Sequence, residues 1–254
     1  MSAHIEVLPD AHRLADAVAH RFVSSANAAI EARGRFMVSL AGGSTPRSVY
    51  ERLASEPWAS SVDWSRVHIL WGDERCVPPD HDASNYRLAR EAFLDHVPVP
   101  QANVHRIRGE DDPAAAALAY ERVLRAVLRT PDGPPRMAPG FRLDLVLLGL
   151  GSDGHTASLF PGSASLEIQD RWVVADYVQA VSMWRVSLTA IVINAAAEVA
   201  FVVSGEAKAA IVRQVLDGPA QPRILPAQLI APAGGRLLWI MDAPAAAALR
   251  RLTR

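Results

Sequence analysis

Residues 145 to 162 read LVLLGLGSDGHTASLFPG. An apolar run of the kind that forms a buried strand leads into a glycine-rich loop that holds Asp153 and His155 two positions apart. A histidine titrates near neutral pH and is the usual group for activating a water, and a neighbouring carboxylate can orient its ring. The other histidines are scattered, with no HExxH or paired-His spacing, so the residues point to general-base chemistry rather than to metal ligation. The same stretch fits G-x-G-x-x-G through Gly149, Gly151 and Gly154, and Asp176 stands about twenty residues on, where a ribose-binding acid would. Against a dinucleotide site, Pro161-Gly162 interrupts the chain and GSASLEIQD lacks the apolar period of a crossover helix.

Three more loops carry candidate chemistry. In SLAGGSTPRSVY a strand ends in Gly42-Gly43 and a helix begins near Thr45-Pro46. Free backbone N–H groups there, with the Ser44 and Thr45 hydroxyls, suit a phosphate; a plain capped turn is the competing reading. In LWGDERC a buried run meets Asp73, Glu74 and Arg75, either a ligand site at a strand's carboxyl end or a surface ion cluster. Cys76 beside them lacks an activating neighbour and reads as a packed, inert thiol. In VVSGEAKAA, Lys208 falls about one turn into a helix and can fold back over an anion, while Arg185 precedes another apolar stretch. Each of these two cations, taken alone, reads as ordinary surface charge.

The elements that must hold these loops alternate between short Val/Ile/Leu runs and longer amphipathic or Ala-rich segments, the pattern of parallel strands crossed by helices. IEVLP, RFMVSLA, RVHILW, LDLVLLGLG, WVVADYV, EVAFVVSG and RLLWIMD read as strands. Helices are expected from Asp10 to about Arg33 and at TPRSVYERLAS, NYRLAREAFLDHV, PAAAALAYERVLRAVLR, EAKAAIVRQVL and APAAAALRRL. TPDGPPRMAPG reads as a surface loop, the best candidate boundary yet within the normal length of a connection. The expectation is one domain over residues 1–254, three-layer α/β/α with a mostly parallel, Rossmann-like sheet.

A net charge of -1 gives no global field toward nucleic acid or an anionic membrane, so any anion must be held locally. A single cysteine excludes an internal disulfide framework and fits a reducing cytoplasm. No apolar run reaches the ~18 residues of a membrane helix, and the start lacks the features of a secretory leader. The expected protein is soluble and cytoplasmic; its sequence does not specify an oligomeric state and is compatible with a monomer.

Taken in order and spacing, AGGSTP, WGDER…DHDASNY, DLVLLGLGSDGHTASLFPG, RVSLT…INAA and VVSGEAK resemble the 6-phosphogluconolactonases, from about residue 35 to 215. Glucosamine-6-phosphate deaminases belong to the same superfamily. They carry DEY where this chain has Asp73-Glu74-Arg75, and an acidic residue where it has Phe160, so HTASLFP places the chain on the lactonase side. The resemblance implies hydrolysis of a sugar-phosphate lactone, 6-phospho-D-glucono-1,5-lactone, without metal or organic cofactor. It implies His155 as general base, Asp153 as its orienting partner and Arg75 as a ligand of the substrate and its developing charge. Gly42-Gly43 with Ser44, Arg185 and Lys208 would hold the 6-phosphate. It leaves the roles of Asp73, Glu74 and Asn85 open.

Overall fold

The computed structural model describes residues 3–128 and 142–250. The loop expected at TPDGPPRMAPG lies outside them. Asp10 starts α1 (Ala11–Arg33) by accepting a hydrogen bond from the Arg13 N–H, which satisfies one of the free donors of the first turn. The helix buries Leu14, Val18, Phe22, Ala26 and Ala29, a stripe at near-helical spacing. It packs on α2 (Ser44–Leu53) and on the strands beneath.

Among the described residues, six parallel strands form the central sheet. They are β1 (His4–Leu8), β2 (Phe36–Leu40), β3 (Val67–Trp71), β5 (Leu145–Leu148), β8 (Glu198–Val203) and β9 (Arg236–Asp242), in the order β1-β9-β8-β5-β2-β3. The interior strands β2, β5 and β8 are buried along their whole length, because helices cover both faces and no polar side is needed. The arrangement is the expected three-layer α/β/α, with buried apolar side chains in one continuous cluster. Further helices are α3 (Asn85–Ala89), which continues as a π-helical turn over Arg90–Leu94, α4 (Pro113–Leu128), α5 (Ala190–Asn194), α6 (Ala209–Asp217) and α7 (Ala243–Ala246). No helix among the described residues is long and apolar enough to cross a membrane.

A second, antiparallel sheet departs from the expectation. It consists of β4 (Asp73–Arg75), β7 (Met183–Leu188) and β6 (Val173–Val178), in that order. WVVADYV is therefore a strand of this small sheet and not of the parallel one, and Asp73-Glu74-Arg75 is a short strand, not an irregular loop. The small sheet shares the main core through Val173, Val186 and Leu188, and α4 packs against β6 and β7. Where α4 crosses, the buried Tyr120 hydroxyl accepts from the Trp71 N–H and donates to the Trp71 carbonyl, so the end of β3 is satisfied by a side chain.

At the opposite end of β3 the rings of His68 and His105 stack at 5.5 Å, with Nδ1 of one 3.2 Å from Nε2 of the other. Burial, reinforced by His68, lowers the pKa of His105 from its ordinary 6.5 to about 4. Between those two values the unfolded chain takes up a proton that the folded chain does not, so stability falls as pH falls across that window and is fully kept above it. Replacing the titrating ring in His105→Gln should flatten the drop in melting temperature between pH 6.5 and pH 4 relative to the parent. Equal slopes for the two proteins in a thermal-denaturation series would show that the pair does not set acid sensitivity.

Candidate active site

β2 pairs with β3 on one side and with β5 on the other; the next strand of the parallel sheet after β2 is β3, whereas the next one after β5, reached by way of β6 and β7 in the small sheet, is β8 on the opposite side. Such a reversal opens a crevice at the carboxyl ends of the two strands. The loops after β3, β2, β5 and β8, four neighbours in the sheet, carry the four sequence stretches singled out above. Gly42, Gly43, Arg75, His155, Arg185 and Lys208 meet there around one cavity of about 350 Å³, together with Asp73, Asn85 and Phe160. Ser44 and Thr45 lie apart from it, in an adjoining cleft of about 140 Å³ that shares Gly42, Gly43 and Lys208 with the main cavity.

His155 and Asp153 form a hydrogen-bonded pair. Nδ1 lies 2.6 Å from Asp153 Oδ1, and the same oxygen accepts from the His155 backbone N–H at 3.1 Å. Burial pushes the Asp153 carboxyl up, but these contacts outweigh it and the net shift is downward, toward a stable carboxylate. A carboxylate on Nδ1 selects the tautomer with its proton there, which leaves Nε2 with a free lone pair. Asp153 does not line the cavity and reaches it through His155. One face of the imidazole is covered by Phe160, with ring centroids 4.0 Å apart and planes 24° from parallel.

The positive charge comes from two directions. Arg75 and Arg185 stand directly opposite one another on β4 and β7, a pairing of like charges that costs stability unless an anion is shared. Burial lowers the pKa of Arg185, and the Arg75 charge adds to this. Arg75 Nη1 donates to the Ala83 carbonyl at 2.6 Å, which aims the guanidinium, while the buried Nε of each arginine has no hydrogen-bond partner among the described residues. From the other side Lys208 lines the cavity and donates to the Leu150 carbonyl, in the loop after β5, at 2.7 Å. The turn before it is pinned by Asp242, which accepts from the Gly205 N–H and the Ser204 hydroxyl.

The residues with open roles turn out to hold the site together. The buried Glu74 carboxylate accepts from the N–H groups of Arg75, Asn85 and Tyr86 and from the Ser84 hydroxyl, thereby tying β4 to the start of α3. Burial raises its pKa and the three N–H bonds oppose that rise. Asp73 accepts from the Ser158 hydroxyl at 2.6 Å, and the Asn85 amide donates to the Asp73 carbonyl at 2.8 Å. The Asn85 side chain packs so closely on Gly42 that a Cβ there would lie 1.8 Å from Oδ1, so a larger residue at this turn would have to displace the buried Asn85 amide. Ser158 was missed by sequence reasoning. It also accepts no apolar role, since its N–H donates to Ser187 of β7 and locks the histidine loop onto the small sheet. Cys76, half-buried, has a thiol pushed up to about 11 by burial and by the Glu74 charge, in keeping with an inert thiol. Asp176, on β6, accepts from the hydroxyl of Ser163, the residue before a short 3₁₀ turn over Ala164–Glu167 that stands where a dinucleotide fold would have its crossover helix.

A family model described as glucosamine-6-phosphate isomerases/6-phosphogluconolactonase matches residues 9–239. A 6-phosphogluconolactonase of a Nostoc species is 39% identical over 252 residues, covering 98% of this chain and 99% of that one. One from Mycobacterium tuberculosis is 41% identical over 257 residues, with the same two coverages, 98% and 99%. The solved 6-phosphogluconolactonase from Trypanosoma cruzi superposes with a TM-score of 0.86 at 28% identity, covering 98% of this chain and 97% of that one. The chain belongs to the glucosamine-6-phosphate isomerase/6-phosphogluconolactonase family.

Proposed function

We propose that this protein hydrolyses 6-phospho-D-glucono-1,5-lactone to 6-phospho-D-gluconate, with His155 as the general base. The observation that carries the reading is the His155–Asp153 pair opening onto the same cavity as Arg75, Arg185 and Lys208. It is supported by the 6-phosphogluconolactonases that match over nearly the whole chain. The lactone presents an electrophilic carbonyl at one end and a phosphate at the other. A site for it needs a base beside one and cations beside the other.

In this scheme His155 Nε2 takes a proton from water as the water oxygen attacks C1. The carbonyl electron pair moves onto oxygen, and Asp153 stabilises the imidazolium that forms. Collapse of the tetrahedral intermediate breaks the bond from C1 to the ring oxygen. The imidazolium returns its proton to that oxygen, which leaves as the C5 hydroxyl, and the new carboxyl group ionises. Arg75 holds the substrate beside the developing oxyanion. Arg185, Lys208 and the Gly42-Gly43 turn hold the 6-phosphate, with Ser44 and Thr45 supporting it from the adjoining cleft. Phe160, in place of an acid, argues against ring-opening deamination. We further propose a single-domain, cytoplasmic enzyme, consistent with the one cysteine and the near-neutral charge.

The lactone generated in situ by glucose-6-phosphate dehydrogenase and trapped at short times is the direct assay. Loss no faster than the spontaneous rate would end the proposal. His155→Ala should lower kcat by about 10²–10⁴-fold with KM changed only slightly. Lys208→Ala and Arg185→Ala should instead raise KM by roughly tenfold or more, the loss of one charged hydrogen bond. The reverse split would exchange the roles.

The pair also depends on a bare backbone behind it. A Cβ added at Gly151 would lie 2.1 Å from His155 Nδ1 and 2.6 Å from Asp153 Oδ1. Gly151→Ala should therefore cut kcat by about tenfold or more while leaving the circular-dichroism spectrum unchanged. Full activity in a folded variant would mean that the hydrogen bond between His155 and Asp153 is dispensable.

A further inference from the structure

The geometry points to Phe160 as a positioning residue for the general base, a role that rests on the lactonase reading above. Asp153 fixes the imidazole at one point only, through Nδ1. The torsion that swings an aromatic ring about its Cβ–Cγ bond is broad, so a single hydrogen bond leaves the direction of Nε2 loosely set. Two further contacts remove that freedom. Gly151 lies against the Nδ1–Cε1 edge, where an added Cβ would stand 2.1 and 2.3 Å from those atoms, and the Phe160 ring covers a face of the imidazole at a centroid distance of 4.0 Å. With its hydrogen-bonded edge and one face occupied, the imidazole presents Nε2 to the cavity that both rings line.

The chemistry of the covering ring matters as well as its shape. Phenylalanine takes no hydrogen bond from Nε2 and offers no atom on which the proton could be parked. It covers a face of the imidazole and leaves the in-plane lone pair of Nε2 free to meet a water in the cavity that both rings line. An aromatic face tolerates the imidazolium when it forms, because the ring quadrupole attracts a cation. A carboxylate in its place would bind the imidazolium and hold the proton back, raising the pH at which the base becomes free. Phe160 itself is anchored by the turn that follows, whose Ser163 N–H donates to the Phe160 carbonyl at 3.1 Å.

Three substitutions test this. Phe160→Tyr keeps the flat face and should retain kcat within about threefold. Phe160→Leu keeps an apolar side chain without the face and should lower kcat about tenfold with KM within twofold, the mark of lost positioning and not of lost binding. Phe160→Glu should move the acid limb of the kcat/KM profile upward by about one pH unit. Independently of turnover, stacking should shift the His155 ring protons upfield in the parent and in Phe160→Tyr, and release them in Phe160→Leu, as read by NMR of the full chain. A Leu variant with parental kcat, or one whose loss lies wholly in KM, overturns the positioning role. So does an unmoved His155 resonance. A parent without lactonase activity would overturn the functional reading instead, and the NMR comparison would still decide whether Phe160 fixes the ring.

Discussion

The reversal of chain direction between β2 and β5 is the constraint on which the site depends. In the parallel sheet the chain goes from β2 outward to β3, whereas after β5 it passes through β6 and β7 of the small sheet and returns at β8, on the other side of β5, and such a reversal opens a crevice at the carboxyl ends of the two central strands. Every chemically active loop then has to face the same opening, because β3, β2, β5 and β8 are consecutive in the sheet. The interior strands β2, β5 and β8 are buried along their whole length and paired on both sides. This rigid base fixes Gly42, Arg75, His155 and Lys208 relative to one another before any substrate arrives.

The small antiparallel sheet adds what the parallel one cannot. A parallel strand delivers one loop per strand end, whereas the pairing of β4 with β7 sets Arg75 against Arg185 in register. That pairing is electrostatically unfavourable, and the structure keeps it through attachments on either side. Glu74 holds β4 onto α3 with four donors, Asp73 binds Ser158, and Ser158 binds Ser187 of β7. A half-buried guanidinium pair that forms no close ion pair among the described residues attracts an anion, which is how a protein of net charge -1 can present a locally cationic site. The buried acids Asp73 and Glu74 thus tie the segments that carry the cations to their neighbours, while their charges also favour the charged form of Arg185.

Much of this was legible in the residues themselves. β2, β3, β5 and β8 are largely apolar runs with a glycine within two residues of their ends, so the loops after them could be recognised as strand-end loops without knowing the order of strands. Asp153 and His155 were readable as a pair because they are two positions apart in one loop. What could not be read depends on register between distant segments. β4 is three residues, Asp-Glu-Arg, with no apolar alternation to mark it as a strand, and MWRVSLT carries a pattern that gives no partner. Hence the opposition of Arg75 and Arg185, and the link from Ser158 to Asp73, emerge only when the strands pair. Ser44 and Thr45 show the converse: the turn is where it was expected, yet their side chains line the adjoining cleft because α2 begins at Ser44 and turns them away.

The G-x-G-x-x-G spacing after β5 shows how one pattern can answer a different physical need. In a dinucleotide site the glycines bring the backbone to a pyrophosphate at the start of a long helix. Here no such helix follows, and Asp176, which would have held a ribose, is taken by Ser163 in the other sheet. The middle glycine instead makes room for a side chain of its own loop, since any Cβ at Gly151 would occupy the space of the His155 ring. The close approach that glycine permits is thus used by the imidazole, packed between bare backbone and the Phe160 ring. A spacing that reads as a ligand cradle can equally seat a side chain of its own loop, and the residue types that follow it decide which.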